Sequence, residues 1–439
     1  MCDDMRGTQK SSKSFLFCLV GLFLWAPAQS RAQATLLLEE PYSYDGMFAG
    51  TGHAAIYLSR VCAESPTLLR RCHAGENGVV LSRYDGIAGH DWMAIPLIPY
   101  LYAVDKVENI PLFVNPKLVA LLRERYLRTL SLPPEKTAGS EPRYELAGSA
   151  YDRTLYGFRF ATTPDEDDRL IQLLNSSSNR ESYELVKRNC ADFVKGIVNF
   201  YYPHAIHRAL IADLGVTTPK QAAKSLVRYS RHHPEMQLTT FLIPQVPGLK
   251  RSKPVHGVME SLVLAKKYVT PVLLFHPFVV GTVEAAYWAG WRFNPGKGAL
   301  IFDPATGDLS RGLEQPLTAA QRHSYQNLVQ ATKRREVESE VLPTWPNIET
   351  ASQVSLDAEA RPVLRVLLEG RVVPVGICRA NALRISGSPE LVEGLVLARM
   401  ETELKPKNPI RTSESQLRSD WKLLEAARGA SQAAVTVEP

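Results

Sequence analysis

Two residues of this chain have the types and surroundings for acyl-transfer chemistry: Cys190, in the run Asn189-Cys190-Ala191-Asp192-Phe193-Val194, and His53, in GTGHAAIYL. The strand-like run YELVKR gives way at Cys190 to an apolar helical pattern, so Cys190 is predicted to open a helix. A thiol placed there faces unpaired backbone N–H groups and the positive end of the macrodipole, both of which favour the thiolate. Such placement can lower a cysteine pKa from about 8.5 into the range of roughly 3.5 to 7.5, especially beside an imidazolium. His53 follows a Gly-rich turn and begins a strand. As a pair, the thiolate attacks a carbonyl, the imidazolium protonates the leaving group, and N–H donors at the helix start, the Cys190 amide among them, hold the oxyanion. Taken singly, each has a plainer reading, Cys190 as a small buried residue and His53 as a donor to a backbone carbonyl. A third polar group must set the imidazole tautomer. The strand GVVLSRYDG offers Ser82 and Tyr84 on one face and Arg83 on the other, with His73, Glu76, Asn77 and Asp85 at its margins. The residues alone leave that choice open.

The elements that must position this pair are legible as alternating short strands and helices. HAAIYLSRV and GVVLSRYDG read as paired strands and KVENIPLFV as another. NPKLVALLRERYLRTL reads as an amphipathic helix capped by Asn115 with Pro116 at its first position. SLPPEKTAGSEPR is a loop, and LYGFRFATT and SYELVKR are strands separated by the helix TPDEDDRLIQLLN, whose acids favour its N-terminus. The helix opened by Cys190 runs through FVKGIVNFYY, and TPKQAAKSLVRYSRHH forms a further helix capped by Thr217 or Thr218. The mixture indicates an α+β fold. At 439 residues the chain exceeds one compact core. The expected division is residues 35–248 as the catalytic domain, 249–298 as an apolar helical segment and 299–439 as an accessory α+β region. The last contains the helical run TAAQRHSYQNLVQATKRRE, the strand pair VLRVLLEG and VVPVGIC, and two further helices, PELVEGLVLARMETEL and SESQLRSDWKLLEAAR.

The N-terminus carries Arg6, Lys10 and Lys13, the apolar run from Phe15 to Ala26, and small-residue sites at Ala26-Pro27-Ala28 and Ala32-Gln33-Ala34. Residues 1–34 therefore read as a secretory signal peptide, which implies an exported, periplasmic or envelope-associated protein. Removing them takes 51 basic against 45 acidic residues to 47 against 43. That mild surplus, with no long basic block interleaved with aromatics, argues against a nucleic-acid partner. Four cysteines then remain. Cys62 and Cys72 could join across a hairpin in an oxidising compartment, leaving Cys190 as a thiol and Cys378 as a small buried hydrophobe. No Cys/His cluster has metal-site spacing, His204/His207 and His232/His233 included, and no cofactor is implied. The run Tyr268–Trp291 is long and apolar but interrupted by Pro271, His276, Pro277, Gly281 and Glu284. It reads as helices docked on the catalytic domain or in peripheral contact with a membrane, a span being the less favoured alternative.

GHAAIYL followed much later by NCADFV resembles the circularly permuted branch of the NlpC-type papain-like thiol hydrolases, a layout shared by lecithin retinol acyltransferase-like proteins. The resemblance covers about half of the chain. It implies a papain-like domain with an antiparallel sheet and packed helices, in which His53 matches the histidine, Asn189 the residue before the nucleophile and Cys190 the nucleophile. The family places its tautomer-setting residue on the second strand, and this chain has neither a His nor an acidic residue in the middle of GVVLSRYDG. Thiol acyl-transfer chemistry follows from the resemblance. Three readings stay open: an exported cysteine hydrolase of amide bonds in peptidoglycan peptides, a lipid-directed acyltransferase or phospholipase, and a non-catalytic envelope binding or assembly protein on the same scaffold.

Overall fold

The computed structural model describes residues 33–332 apart from 133–144, 209–215, most of 253–292, 311–316 and several single or paired positions. Beyond these it describes 353–380 with short gaps and scattered positions as far as 425. The protein is α+β, with an antiparallel-rich sheet and several helices. In chain order the first strands are β1 (Gln33–Glu39), β2 (Tyr42–Tyr44), β3 (Met47–Ala49), β4 (His53–Leu58), β5 (Val61–Ser65), β6 (Leu68–Arg71), β7 (Val79–Arg83) and β8 (Trp92–Pro96). After them come β9 (Leu155–Ala161), β10 (Thr239–Ile243), β11 (Leu300–Phe302) and β12 (Leu309–Ser310). One sheet takes the order β12-β11-β10-β9-β1-β4-β7-β8, antiparallel at every pair except β10–β11.

Helices cover both faces of this sheet. They are α1 (Leu97–Tyr102), α2 (Pro116–Thr129), α3 (Ser149–Asp152), α4 (Pro164–Ser176), α5 (Cys190–Tyr201), α6 (Pro219–Ser230) and α7 (Ala319–Thr332). On one face Leu36, Leu38, Ile56, Leu58 and Leu81 share a core with Val194, Ile197 and Val198 of α5. On the other, Leu37, Ala55, Tyr57 and Val80 pack with Leu97 and Leu101 of α1 and Leu118 and Leu122 of α2. Burying one such side chain contributes roughly 1.5–3 kcal/mol, so the α5 stripe fixes that helix firmly against the sheet. Asn115, Thr163, Asn189 and Thr218 cap α2, α4, α5 and α6, each accepting an N–H of the first turn.

Several expectations are corrected. β1, at the centre of the sheet, lies outside the expected strands: residues 34–39 are buried, so the run lacks the alternation of a half-exposed strand. The expected leader boundary at 34 falls inside it, since Ala34 is fully buried and pairs with Leu58 on one side and Phe160 on the other. Residues 1–32, on which the rest of the expected leader falls, lie outside the described residues. KVENIPLFV is no strand: Val107–Asn109 is a short 3-10 turn, and Pro111, which lacks an N–H, makes only an isolated bridge to Cys378. Within SYELVKR, Glu184 and Arg188 bond each other, at 3.2 and 2.8 Å, in an isolated bridge in place of the expected strand pairing.

The expected boundary at 248 cuts through the sheet, because β11 and β12 extend it beyond β10. The later strands β13 (Gln353–Leu356), β14 (Pro362–Leu368) and β15 (Arg371–Gly376) form the expected pair plus a third. They are docked rather than separate: Leu364, Val375, Ile377, Met400 and Leu417 belong to the same core as α1 and α2, and the Leu112 N–H donates to the Ile377 carbonyl at 2.8 Å. Most of Tyr268–Trp291 lies outside the described residues, although Phe278 within it is 90% exposed. Among the described residues no helix is long and apolar enough to cross a membrane.

Cys62 and Cys72 form a disulfide that ties β5 to the segment after β6. Closing a loop of 10 residues should contribute about 2–3 kcal/mol by restricting the unfolded chain. Denaturant unfolding of Cys62→Ala/Cys72→Ala should show a loss of that order against the oxidised protein. The pairing of Ala34 makes a second prediction: if a leader is removed, mass spectrometry should find the new N-terminus upstream of Gln33, at the Ala26-Pro27-Ala28 site, and a terminus at Thr35 would contradict the pairing of β1.

Candidate active site

The site begins with local chain geometry. Asn189 is extended and caps α5: its Oδ1 accepts the Asp192 N–H at 3.0 Å, and the Asn189 N–H points back at the Asp192 carboxylate. Cys190 is thus the first helical residue, 7% exposed, at the positive end of α5. Asp192 holds the turn from below, taking hydrogen bonds from Thr217 Oγ1 at 2.7 Å, Arg208 Nη2 at 3.0 Å and Lys195 Nζ at 3.1 Å. Burial works against its charge, but these three partners hold its carboxyl below the usual range. Arg208 also donates to the Lys187 carbonyl at 3.0 Å, tying down the chain ahead of Cys190.

His53 opens β4 directly after Gly52. Gly52 has φ of 73°, and a Cβ there would stand 2.2 Å from the Glu39 carbonyl oxygen, so the turn that launches β4 beside β1 requires glycine. The structure brings the two predicted residues together: the half-buried His53 imidazole and the Cys190 sulfur lie near enough for each to act on the other's charge. Burial alone would raise the Cys190 thiol, yet the imidazolium and the backbone N–H groups of Ala54 and Ala191 bring it below its ordinary value. For His53, burial opposes the charge, but the thiolate, by its charge and its hydrogen bond, and the Glu39 carboxylate lift it to about 9. Both shifts favour a thiolate–imidazolium pair.

The third group left open by the sequence is Ser82. Its Oγ lies 2.6 Å from His53 Nε2 and 3.0 Å from the Ala54 carbonyl, in a position 1% exposed. The hydroxyl proton goes to the carbonyl, so Oγ accepts from Nε2–H and leaves Nδ1 to face the sulfur. Tyr84, which shares that face, stacks on the imidazole with centroids 5.3 Å apart. The other marginal candidates sit elsewhere: His73 and Glu76 belong to the Arg70 ion-pair cluster at the disulfide hairpin, Asn77 uses its carbonyl for Tyr57, and Asp85 lies outside the described residues.

Behind the imidazole is a group the sequence did not single out. Glu39 is the register partner of His53 across β1–β4 and is 1% exposed. Its carboxylate accepts from Ser149 Oγ at 2.6 Å and from Tyr100 Oη, with Arg153 Nε at 3.2 Å. A signal existed, since an acid ending an apolar run is expensive to bury unpaired, but its partners lie far along the chain. Of the four flagged histidines, His207 Nδ1 meets Ser225 Oγ at 3.0 Å and His233 stacks on Tyr229 and pairs with Glu235. Among the described residues Cys62, Cys72 and Glu76 place ligand-type atoms close together, but the two sulfurs are consumed by their disulfide.

No protein-family model matches this chain, and no curated protein matches it either. The crystal structure of a Type VI secretion system effector, TseH, is similar over 48% of this chain and 99% of its own length, at 14% identity and a TM-score of 0.23. So loose a superposition carries no argument about fold or activity. The described geometry must stand by itself.

Alkylation of Cys190 by iodoacetamide, followed by mass spectrometry across pH, should begin below the ordinary thiol range in the wild type. In His53→Ala its onset should move up toward about 8.5, because the stabilising cation is gone. Ser82→Ala should slow labelling near neutrality by about tenfold, the worth of one buried hydrogen bond. Coincident profiles in all three proteins would contradict this electrostatic arrangement.

Proposed function

We propose that this chain is an exported cysteine hydrolase of the papain-like, permuted NlpC type, cleaving amide bonds of cell-envelope peptides, with peptidoglycan peptides as the leading substrate. The carrying observation is that the Cys190 and His53 groups stabilise each other's charge while Ser82 Oγ holds His53 Nε2 at 2.6 Å and donates to the Ala54 carbonyl at 3.0 Å. In this reading the Cys190 thiolate adds to the substrate carbonyl carbon, and the negative charge moves to its oxygen. The Ala54 and Ala191 N–H groups, which favour the thiolate, are the donors this reading assigns to that oxyanion. His53 Nδ1–H passes its proton to the leaving amine as the C–N bond breaks, giving a thioester. Water then attacks the thioester with the neutral imidazole as base, releasing the acid and restoring the ion pair. Ser82 keeps the ring in the tautomer both steps need.

A lipid-directed acyltransferase or phospholipase is the second reading, favoured by the 90% exposed Phe278 inside the apolar run Tyr268–Trp291. The chemistry at Cys190 is the same, with an ester carbonyl in place of an amide. Incubation with purified peptidoglycan should release soluble muropeptides with new amino termini, and Cys190→Ala should lower the rate by at least about a thousandfold. Fatty acid released from phospholipid vesicles, with no muropeptide, would shift the assignment to the second reading. Neither product, together with a Cys190 that labels no faster than an ordinary thiol, would leave a non-catalytic scaffold.

A further inference from the structure

We infer that Tyr84 is a positioning residue for the proposed reaction: the His53 imidazole lies on the face of its ring, which keeps the imidazole in plane and favours its cationic form once the sulfur has bonded to substrate. The inference rests on the thiol chemistry proposed for Cys190 and deepens it. The two rings are stacked, with centroids 5.3 Å apart and planes inclined by 22°. A cation over an aromatic face, within about 6 Å of its centroid, is attracted by the ring quadrupole, the more so where water is excluded. Tyr84 is buried in the core that contains Ile87 and Tyr100, so its own ring is held in place.

Ser82 and Tyr84, two residues apart on one face of the chain, restrain His53 in different directions. Ser82 Oγ meets the ring at its edge, at Nε2, and fixes which nitrogen carries a proton there. That single contact leaves the ring free to tilt, because the terminal torsion of a histidine is broad. The stack removes that freedom. The Tyr84 hydroxyl makes no hydrogen bond among the described residues, so the face of the ring is what this position supplies.

The charges that act on His53 either change during the cycle or offset one another. The Cys190 thiolate at the start of α5 favours the imidazolium, but its charge leaves the sulfur as the bond to the carbonyl carbon forms. Glu39 on β1 favours the imidazolium and Arg153, directly after α3, opposes it, and these two groups are paired with each other. The tyrosine face stays the same throughout, including the step in which the imidazolium must survive until the leaving amine takes its proton.

Titration of His53 by nitrogen-15 NMR in Cys190→Ala, where no thiolate remains, tests this without a known substrate. Tyr84→Phe keeps the aromatic face and should leave the acid dissociation constant of His53 unchanged. Pentafluorophenylalanine at position 84 keeps the shape but reverses the quadrupole, and should raise that constant by about two- to thirtyfold over Tyr84→Phe, the range of a cation on an aromatic face. Tyr84→Leu, apolar without such a face, should act in the same direction and serves if the fluorinated chain does not fold. Equal constants in Tyr84→Phe and the fluorinated chain, or a rise in Tyr84→Phe as large as in Tyr84→Leu, overturn the role, whereas a merely structural contribution would follow shape and leave the first pair alike. With Cys190 present, iodoacetamide labelling of Tyr84→Phe should keep the wild-type pH profile, and Tyr84→Leu should move its onset up. A wild-type Cys190 that labels as an ordinary thiol removes the thiol reading, while the titration in Cys190→Ala still reports on Tyr84, so the two failures are told apart.

Discussion

The contact between the Cys190 sulfur and the His53 imidazole sets the demands on everything around it. Each group is largely removed from water, and either charge alone would be costly there. Together they are tolerated because the Ala191 N–H at the helix start and the Ala54 N–H of β4 also favour the thiolate, while the ring is held by Ser82 and feels the charge of Glu39. The pair can exist only if α5 and β4 keep their relative positions to within a hydrogen-bond length. The buried stripe of α5 and the glycine turn before β4 meet that requirement from opposite sides.

Two carboxylates serve this contact in different ways. Asp192 is spent on structure, since its oxygens cap the turn and gather Thr217, Arg208 and Lys195 at the start of α5. Glu39 acts through charge on His53 and is itself held by Arg153, Tyr100 and Ser149. A buried ion pair of this kind is weak evidence for net stability, because desolvation offsets most of the attraction. Its consequence here is orientation and local potential. The Arg153 guanidinium in turn lies 4.6 Å over the ring of Tyr42, so the order of the site reaches β2.

The region after residue 299 is bound into this scaffold. β11 and β12 lengthen the central sheet, and β13–β15 bury Leu364, Val375 and Ile377 against the helices on the face opposite α5. Its described contacts thus support the sheet from the face opposite α5. A strand reading of KVENIPLFV fails for the same reason, because that segment meets the later residues Ile377 and Cys378 instead of the main sheet.

Local order was legible where the physics is local. Helix starts at Asn115, Thr163, Asn189 and Thr218 follow from side chains that accept nearby N–H groups, and the shared face of Ser82 and Tyr84 follows from the two-residue period of a strand. Those patterns determined that Cys190 opens a helix, that His53 opens a strand, and that Ser82 and Tyr84 share a face. Only the tertiary structure decided that the histidine reaches the cysteine, that Ser82 rather than its neighbours holds the ring, that Glu39 stands behind it and that β1 runs through the middle of the sheet. Each of those depends on groups separated by many residues, whose meeting is governed by which apolar faces pack together, and one-dimensional spacing carries no record of that.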